Sequence, residues 1–252
     1  MKRLVILGGG ESGVGTALLG KKKGYDVFVS DKGEIKKKYK EVLLHNEIEW
    51  EEQQHSLENI LNADVVVKSP GIPDKAEVVK QLVSKGISVI SEIEFASQFT
   101  KANIIGITGS NGKTTTTMLA HHLLKEGGLS VGMAGNIGDS FAKQVAETDV
   151  DQYVLELSSF QLDGIENFKP HIAVITNITP DHLDRYDYKF ENYIASKFRI
   201  TMNQTKDDYL IYDADDEVIT KYLEEYPVQS KKLPFSLTKK LEQGAYLEEK
   251  NI

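Results

Sequence analysis

The hydrophobic pattern divides the chain into two blocks in which short apolar runs alternate with mixed polar and apolar segments. Continuous apolar runs separated by helical segments are typical of parallel sheets with right-handed crossovers. In the first block, a helix is predicted over Thr16–Lys23, after a glycine-rich turn. The strands predicted in this block are Arg3–Leu7, Asp26–Ser30, Asp64–Lys68 and Ile87–Ile90.

The second block repeats the arrangement of strand, glycine-rich turn and helix. Its predicted helices are Thr114–Glu126, Asp139–Glu147, Glu191–Met202 and Asp215–Glu225. Its predicted strands are Asn103–Thr108, Ser130–Ala134, Gln152–Leu157, His171–Thr176 and Asp208–Tyr212, with Lys231–Phe235 and Ala245–Glu248 as further candidates. The first block ends near Glu92, and Ile93–Lys101 is interpreted as a short helix or linker. We therefore expect two domains, residues 1–92 and 93–252.

Composition narrows the class of protein. The 252 residues are 40% apolar and 27% charged, which is ordinary for a soluble globular protein. The absence of cysteine excludes disulfides and thiolate metal sites, and no apolar run approaches the length of a membrane span, so we expect a cytoplasmic protein. A net charge of −8 argues against a general nucleic-acid binder, and the lysine runs Lys21–Lys23 and Lys36–Lys38 are interpreted as solvated helix faces.

The first glycine-rich turn, Gly8–Gly13, matches G-x-G-x-x-G between a strand and a helix, and Asp31 closes the next strand. This context predicts a nucleotide pyrophosphate on the helix N-terminus, with Asp31 near a base or ribose. The alternative is a turn needed only for close packing of helix and sheet. Glu11 within the turn would repel a phosphate, which weakens the simplest nicotinamide version. Ser69 follows the third strand and would donate to a phosphate oxygen or serve ordinary turn chemistry.

The second turn, Gly109–Thr114, carries G-K-T between a strand and a helix. Backbone N–H groups there would surround a β-phosphate, Lys113 would neutralise the β- and γ-phosphates, and Thr114 would bind Mg²⁺. The full P-loop pattern is not met, because position 107 is isoleucine. With the first turn, this motif predicts an α/β protein. Its N-terminal domain would be Rossmann-like with a parallel sheet, and a P-loop-type α/β domain that binds ATP would follow.

Other polar residues follow strands of the second block. Glu156 lies at the end of an apolar strand, where it would be a Mg²⁺ ligand, a helix cap or a surface acid. His182 follows the next strand at the same predicted sheet edge, although a lone histidine is usually structural. By pattern alone, Lys197 is interpreted as an exposed helix residue.

Four motifs together resemble the Mur ligase family, the ATP-dependent amide ligases that build the peptidoglycan stem peptide. They are T-G-S-N-G-K-T, E-L-S-S-F-Q-L, T-N-I-T-P-D-H-L-D-R-Y and Y-I-A-S-K-F-R-I. The second and third motifs resemble those of the family branch that adds D-glutamate to UDP-N-acetylmuramoyl-L-alanine. The resemblance extends over essentially all 252 residues. It implies ATP and Mg²⁺ as cofactors, and we expect a monomer that binds neither membranes nor nucleic acids.

The resemblance also implies roles for individual residues. The catalytic set would be Lys113, Glu156, His182 and Lys197. ATP would be held by Gly109, Ser110, Asn111, Gly112, Lys113, Thr114, Thr115 and Asp213. Metal ligands would be Thr114, Glu156, His182 and Lys197, the last as a carbamate. The UDP-sugar would be held by Glu11, Ser12, Asp31 and Lys32 at its uracil end, and by Ser69, Asn136 and His182.

The implied reaction proceeds through an acyl phosphate formed on the L-alanine carboxylate, which the amine of D-glutamate then attacks. The family's third domain, which supplies the amino-acid site, has no counterpart in these 252 residues. We therefore expect them to bind the UDP-sugar without ligase turnover. Asp213 departs from the asparagine that is frequent in the family. Two alternatives stay open: a non-catalytic UDP-sugar-binding fragment, and a nicotinamide-dependent oxidoreductase, which leaves Lys113, Glu156 and His182 unexplained.

Overall fold

A computed structural model describes residues 1–248 and groups the chain into two compact units. Unit 1 comprises Met1–Thr100, Ile137–Asp149 and Asp163–Glu166. Unit 2 comprises Lys101–Asn136, Val150–Leu162 and the chain from Asn167 onward. The predicted α/β class is confirmed, and the domain boundary between residues 92 and 93 stays a prediction.

Strands and helices alternate along most of the chain. The strands are β1 (Arg3–Leu7), β2 (Asp26–Ser30), β3 (Glu49–Glu51), β4 (Val65–Lys68), β5 (Ser88–Ile90), β6 (Asn103–Thr108), β7 (Val131–Gly135), β8 (Gln152–Glu156), β9 (Ile172–Ile175), β10 (Tyr209–Asp213), β11 (Lys231–Ser236) and β12 (Ala245–Tyr246). The helices are α1 (Glu11–Lys22), α2 (Lys37–His45), α3 (Leu57–Ile60), α4 (Glu77–Ser84), α5 (Glu92–Ser97), α6 (Lys113–Glu126), α7 (Phe141–Glu147), α8 (Ser159–Asp163), α9 (Phe190–Phe198) and α10 (Glu217–Glu225). Two 3₁₀ turns cover Leu183–Arg185 and Arg199–Thr201.

The sheet of unit 1 has the order β3-β2-β1-β4-β5, and all its pairings are parallel. The order reverses between β1 and β4, which makes the loops after these two strands the switch point of a Rossmann-like sheet. Gly8 follows β1 and Ser69 follows β4, and the Ser69 amide donates to the Leu7 carbonyl at 2.9 Å. The two turns that the sequence singled out therefore meet at the carboxyl edge of one sheet.

Close packing explains why α1 begins at Glu11 rather than at the predicted Thr16. The helix starts inside the glycine-rich turn, and a Cβ added to Gly13 would lie 1.9 Å from the Gly8 carbonyl oxygen. Gly13, the first glycine within the helix, is thus required for the close approach of the helix to the turn. A hydrophobic core on the opposite face of the sheet, where α3 and α4 pack, consists of Val5, Leu7, Phe28, Ile60, Val66, Val78, Val79 and Leu82.

The sheet of unit 2 has the order β12-β11-β10-β9-β6-β8-β7, again with parallel pairings. Glu156 is in register with Ile107 of β6 and with Gly135 of β7. The residues that follow β6, β7, β8 and β9 therefore reach the same edge. The helix predicted over Glu191–Met202 is too long at its C-terminus, because α9 ends at Phe198 and a 3₁₀ turn follows.

Several elements of unit 1 were not predicted from the pattern. They are α2, β3, α3 and α4. Strand β3 has the sequence Glu49-Trp50-Glu51, and its two charged residues do not give the apolar run from which the other strands were predicted. The lysine runs Lys21–Lys23 and Lys36–Lys38 are exposed, as expected. Within the part of the chain that the structure describes, no helix has both the length and the apolar character needed to cross a membrane.

A buried acid, Asp208, ties the start of β10 to its surroundings. It is 2% exposed and accepts hydrogen bonds from the Thr205 amide at 2.8 Å and hydroxyl at 3.0 Å. Nδ1 of His171 lies 3.1 Å from its Oδ1, and Nζ of Lys169 lies 3.3 Å from its Oδ2. Burial alone would raise the pKa of Asp208, but these hydrogen bonds lower it from 3.8 to about 2.

We expect Asp208→Asn to reduce the free energy of unfolding by about 2 kcal/mol at pH 7, because the ionised carboxylate is favoured in the folded state. The lowered pKa contributes stability above pH 3.8, and this contribution is lost as the pH falls from 3.8 to about 2. Urea unfolding at several pH values measures it, with the exposed neighbour substitution Asp207→Asn as control. An equal loss at pH 7 and at pH 2.5 would contradict the assignment.

Candidate phosphate loop and nucleotide cleft

The loop between β6 and α6 has a backbone that only glycine adopts easily. Gly109 has φ +148° and Gly112, the residue before α6, has φ +81°. A Cβ at Gly109 would lie 1.9 Å from Oγ1 of Thr176, whereas a Cβ at Gly112 would meet nothing within 4 Å. The loop is therefore packed tightly on its Gly109 side and open on its Gly112 side, at the start of a helix. A helix start of this kind offers backbone N–H groups to an anion.

The segment after β9 holds this loop in place. The Asn111 amide donates to Oδ1 of Asn177 at 2.9 Å, and Nδ2 of Asn177 donates to the Asn111 carbonyl at 2.9 Å. Oγ1 of Thr176 donates to the same carbonyl at 2.7 Å, and Oγ of Ser110 donates to the Thr179 carbonyl at 2.9 Å. These partners, Thr176, Asn177 and Thr179, had no predicted role. The sequence feature that could have indicated them is a run of polar residues directly after a buried strand.

Two lysines reach the first carbonyl of the loop. Nζ of Lys113 donates to the carbonyls of Gly109 and Ser110, each at 3.0 Å. Nζ of Lys197 donates to the Gly109 carbonyl at 2.7 Å and lies 4.6 Å from the centroid of the Tyr193 ring. The expectation that Lys197 is exposed is wrong: it is 1% exposed, because its face of α9 packs beneath the loop. Both amines thus lie where a phosphate on the loop would need positive charge.

The carboxylate of Glu156 lies beside the helix start, at the end of β8. It is 1% exposed, and its Oε2 accepts from Oγ1 of Thr114 at 2.7 Å. Its Oε1 accepts from Nδ2 of Asn136 at 2.7 Å. A threonine hydroxyl and a carboxylate in contact are oxygen ligands of the kind that Mg²⁺ prefers, with water and substrate phosphates completing its shell. The residues present therefore fit both a phosphate group and its metal ion.

The remaining predicted residues of unit 2 lie outside this cluster. His182 is exposed, has φ +50°, and its ring centroid lies 5.2 Å from that of Phe160. Asp213 accepts from the Asp215 amide at 2.8 Å, and burial raises its pKa. Thr115 is exposed on α6. Over residues 1–248 no group of three histidine or acidic side chains is arranged to hold a metal.

Unit 1 contains a cleft of about 720 Å³ at the carboxyl edge of its sheet. Gly8, Asp31, Lys32 and Ser69 contribute to its walls. The carboxylate of Asp31 accepts from the Gly9 amide at 2.6 Å through Oδ2, and from the Gly33 amide at 2.7 Å through Oδ1. Asp31 thus holds the glycine-rich turn to the loop after β2.

Two further predicted residues, Glu11 and Ser12, begin α1 instead of lining this cleft. Oε2 of Glu11 accepts from the Tyr39 hydroxyl at 2.9 Å. The Ser12 carbonyl accepts from Oγ1 of Thr16 at 2.8 Å. Their predicted contact with the uracil end of a substrate stays a prediction.

Sequence comparison now agrees with this geometry. A model of the Mur ligase middle domain matches residues 107–252, and a model of the MurD N-terminal domain matches residues 3–78. The chain belongs to the Mur ligase family. For this Mur ligase chain, the first match begins at β6 and includes the phosphate loop, and the second contains the glycine-rich turn of unit 1.

Curated relatives are similar over the whole of this Mur ligase chain. The UDP-N-acetylmuramoylalanine--D-glutamate ligase of Christiangramia forsetii is 70% identical over 251 residues. The protein of the same name from Bacteroides fragilis is 55% identical over 252 residues. Both alignments cover 100% of the chain, which spans 56% and 57% of the length of these relatives.

Solved structures agree in fold. The UDP-N-acetylmuramate:L-alanyl-gamma-D-glutamyl-meso-diaminopimelate ligase from Neisseria meningitides superposes with a TM-score of 0.65 at 19% identity, over 97% of this chain and 82% of that one. UDP-N-acetylmuramate-alanine ligase from Thermotoga maritima gives 0.58 at 21% identity, over 95% and 53%. These likenesses support the two-part α/β architecture of a Mur ligase.

Proposed function

We propose that this chain provides the UDP-sugar site and the ATP site of a ligase that adds D-glutamate to UDP-N-acetylmuramoyl-L-alanine. The observation that carries the proposal is the cluster around the phosphate loop, in which Thr114, Glu156 and two lysines converge on one helix start. Family membership and the 70% identical relative support the choice of amino acid and nucleotide sugar.

Within this proposal ATP supplies the phosphoryl group that converts the substrate's L-alanine carboxylate into an acyl phosphate, and Mg²⁺ supplies positive charge beside it. The backbone N–H groups of Gly109–Thr114 surround the phosphates. Lys113 leaves its carbonyl contacts and neutralises phosphate charge. Thr114 and Glu156 hold the metal ion, and Thr115 and Asp213 contact the rest of the nucleotide.

Lys197 is proposed to act as a carbamate and so to become a further metal ligand. Its buried position next to the phosphate loop supports a role at the site rather than on the surface. A carbamate forms when CO₂ adds to a neutral amine and a proton is released. It carries a negative charge, so nearby cations must stabilise it. His182 is proposed to join these ligands when the site is assembled.

The cleft of unit 1 is proposed to hold the uridine diphosphate part of the sugar nucleotide. Gly8 and Ser69 border the pyrophosphate, and Asp31 and Lys32 border the uracil end, next to Glu11 and Ser12. Asn136 is proposed to contact the sugar side. The protein would work in the cytoplasm as a monomer, and its charge of −8 supports a small-molecule substrate over nucleic acid.

A calorimetric titration tests this proposal against the nicotinamide alternative. UDP-N-acetylmuramoyl-L-alanine is expected to bind with one site per chain, and NADH is expected not to bind at the same concentrations. The turn Gly8–Gly10 beside Ser69 would accept the pyrophosphate of either nucleotide, so the expected preference for the UDP-sugar rests on the match to the MurD N-terminal domain and on the 70% identical relative. Binding of NADH with no binding of the UDP-sugar would overturn the proposal.

A further inference from the structure

A chain of three polar side chains runs from the end of the sheet of unit 1 to the cleft. Oγ of Ser30 donates to Oε1 of Glu51 at 2.7 Å. The same Oγ lies 2.7 Å from Nδ1 of His55, whose side chain lines the cleft. Ser30 is fully buried and Glu51 is 9% exposed, so water does not replace these partners. The arrangement fixes the ring of His55.

The arrangement also fixes where the proton of the neutral His55 ring lies. Glu51 is ionised at neutral pH. Burial raises its pKa, but the hydrogen bonds that it accepts from Ser30 and Ser56 lower this pKa below its usual value. An ionised carboxylate can only accept hydrogen bonds, so the Ser30 hydroxyl donates its hydrogen bond to Glu51. Ser30 must then accept from His55, and Nδ1 is the protonated nitrogen. Nε2 is left with a lone pair.

His55 remains neutral at pH 7. Burial lowers its pKa below 6.5, the nearby carboxylates of Glu51 and Asp31 act in the opposite direction, and Lys32 lowers it further. Among residues 1–248 Nε2 has no hydrogen-bond partner. His55 therefore presents to the cleft an acceptor of fixed position, to which a ligand can donate a hydrogen bond.

Asp31 also lines the cleft, and each of its two carboxylate oxygens already accepts a backbone amide. Uracil carries an N–H donor at N3, whereas cytosine carries a lone pair at that position. We propose that His55 is a specificity-determining residue whose Nε2 accepts the N3–H of uracil and rejects cytosine. This inference rests on the proposed uridine nucleotide site in unit 1.

The experiment compares the binding of UDP and CDP to the full chain and to two variants. UDP is expected to bind at least tenfold more tightly than CDP to the unchanged chain, since CDP leaves two acceptors facing each other. In His55→Phe the preference is expected to fall to about twofold, while Ser30 and Glu51 stay paired with each other. In His45→Phe, which changes an exposed histidine at the end of α2, the preference should be unaltered.

A pH series on the unchanged chain tests the same inference without a mutation. Protonation turns Nε2 into a donor that suits cytosine, so the preference for UDP is expected to shrink as the pH falls from 7 to about 5. The β-phosphates of the two nucleotides titrate alike and cancel in the ratio. UDP binding with a preference that depends neither on His55 nor on pH would overturn the inference alone. Failure of both nucleotides to bind would overturn the proposed function with it.

Discussion

Replacing Lys113 by alanine is expected to weaken the binding of MgATP by roughly 10- to 150-fold, the loss of a charge-assisted hydrogen bond to phosphate. The fold should survive, because within residues 1–248 the hydrogen bonds of Lys113 Nζ go to the carbonyls of Gly109 and Ser110 in its own loop. Titration with MgATP measures the affinity, and thermal unfolding checks that the variant is intact.

The matched control is Lys125→Ala. It removes the same charge from the last turn of the same helix, where the side chain is exposed. Its effect on MgATP affinity is expected to stay below about twofold, since exposed charges at this distance are screened. Equal affinities of Lys113→Ala and the unchanged chain would remove the phosphate-loop assignment.

Gly109→Ala is expected to cost roughly 3–5 kcal/mol of unfolding free energy and to abolish MgATP binding. A residue with a Cβ is strained at φ +148°, and the new atom would lie 1.9 Å from Oγ1 of Thr176 and 3.2 Å from the Asn177 carbonyl oxygen. Neither neighbour moves freely, because both are bonded to Asn111 or to β6. Urea unfolding measures the loss of stability, and a separate titration with a fluorescent nucleotide analogue measures the loss of binding.

Gly112→Ala separates strain from crowding in the same loop. It places a Cβ in open space at φ +81°, so only the left-handed backbone opposes it, at a cost of about 1 kcal/mol. Equal destabilisation by the two substitutions would show that the packing of Gly109 against Thr176 does not shape the loop.

The architecture was largely predictable because most strands of the two sheets contain an apolar run between polar segments. The glycine-rich turns placed the two candidate sites, since each is flanked by a strand and a helix. The short strand β3 and helix α3 were missed because they bury few side chains each. In β3, Glu49 and Glu51 flank Trp50, a pattern that resembles a solvated loop.

Burial and pairing of individual side chains were not predictable. Lys197 has the spacing of an exposed helix position, and only the fold of the loop above it makes that position buried. The side-chain partner of the Asn111 amide, Asn177, lies 66 residues away along the chain. The line from Glu51 through Ser30 to His55 joins β3, β2 and the loop after β3, and no local pattern reveals it. Such contacts depend on which strands are neighbours in the sheet.

One chain is expected to bind a uridine nucleotide sugar in unit 1 and the phosphates of ATP in unit 2. Separate titrations of the isotope-labelled chain, followed by NMR through its amide resonances, test both sites in the same molecule. UDP-N-acetylmuramoyl-L-alanine is predicted to shift the amides of Gly8–Gly10, Lys32 and Gly71, and MgADP those of Gly109–Thr114. Two results would contradict the account. One is that the amide resonances of Gly109–Thr114 do not shift with MgADP. The other is that those of Gly8–Gly10 shift with NADH but not with the UDP-sugar.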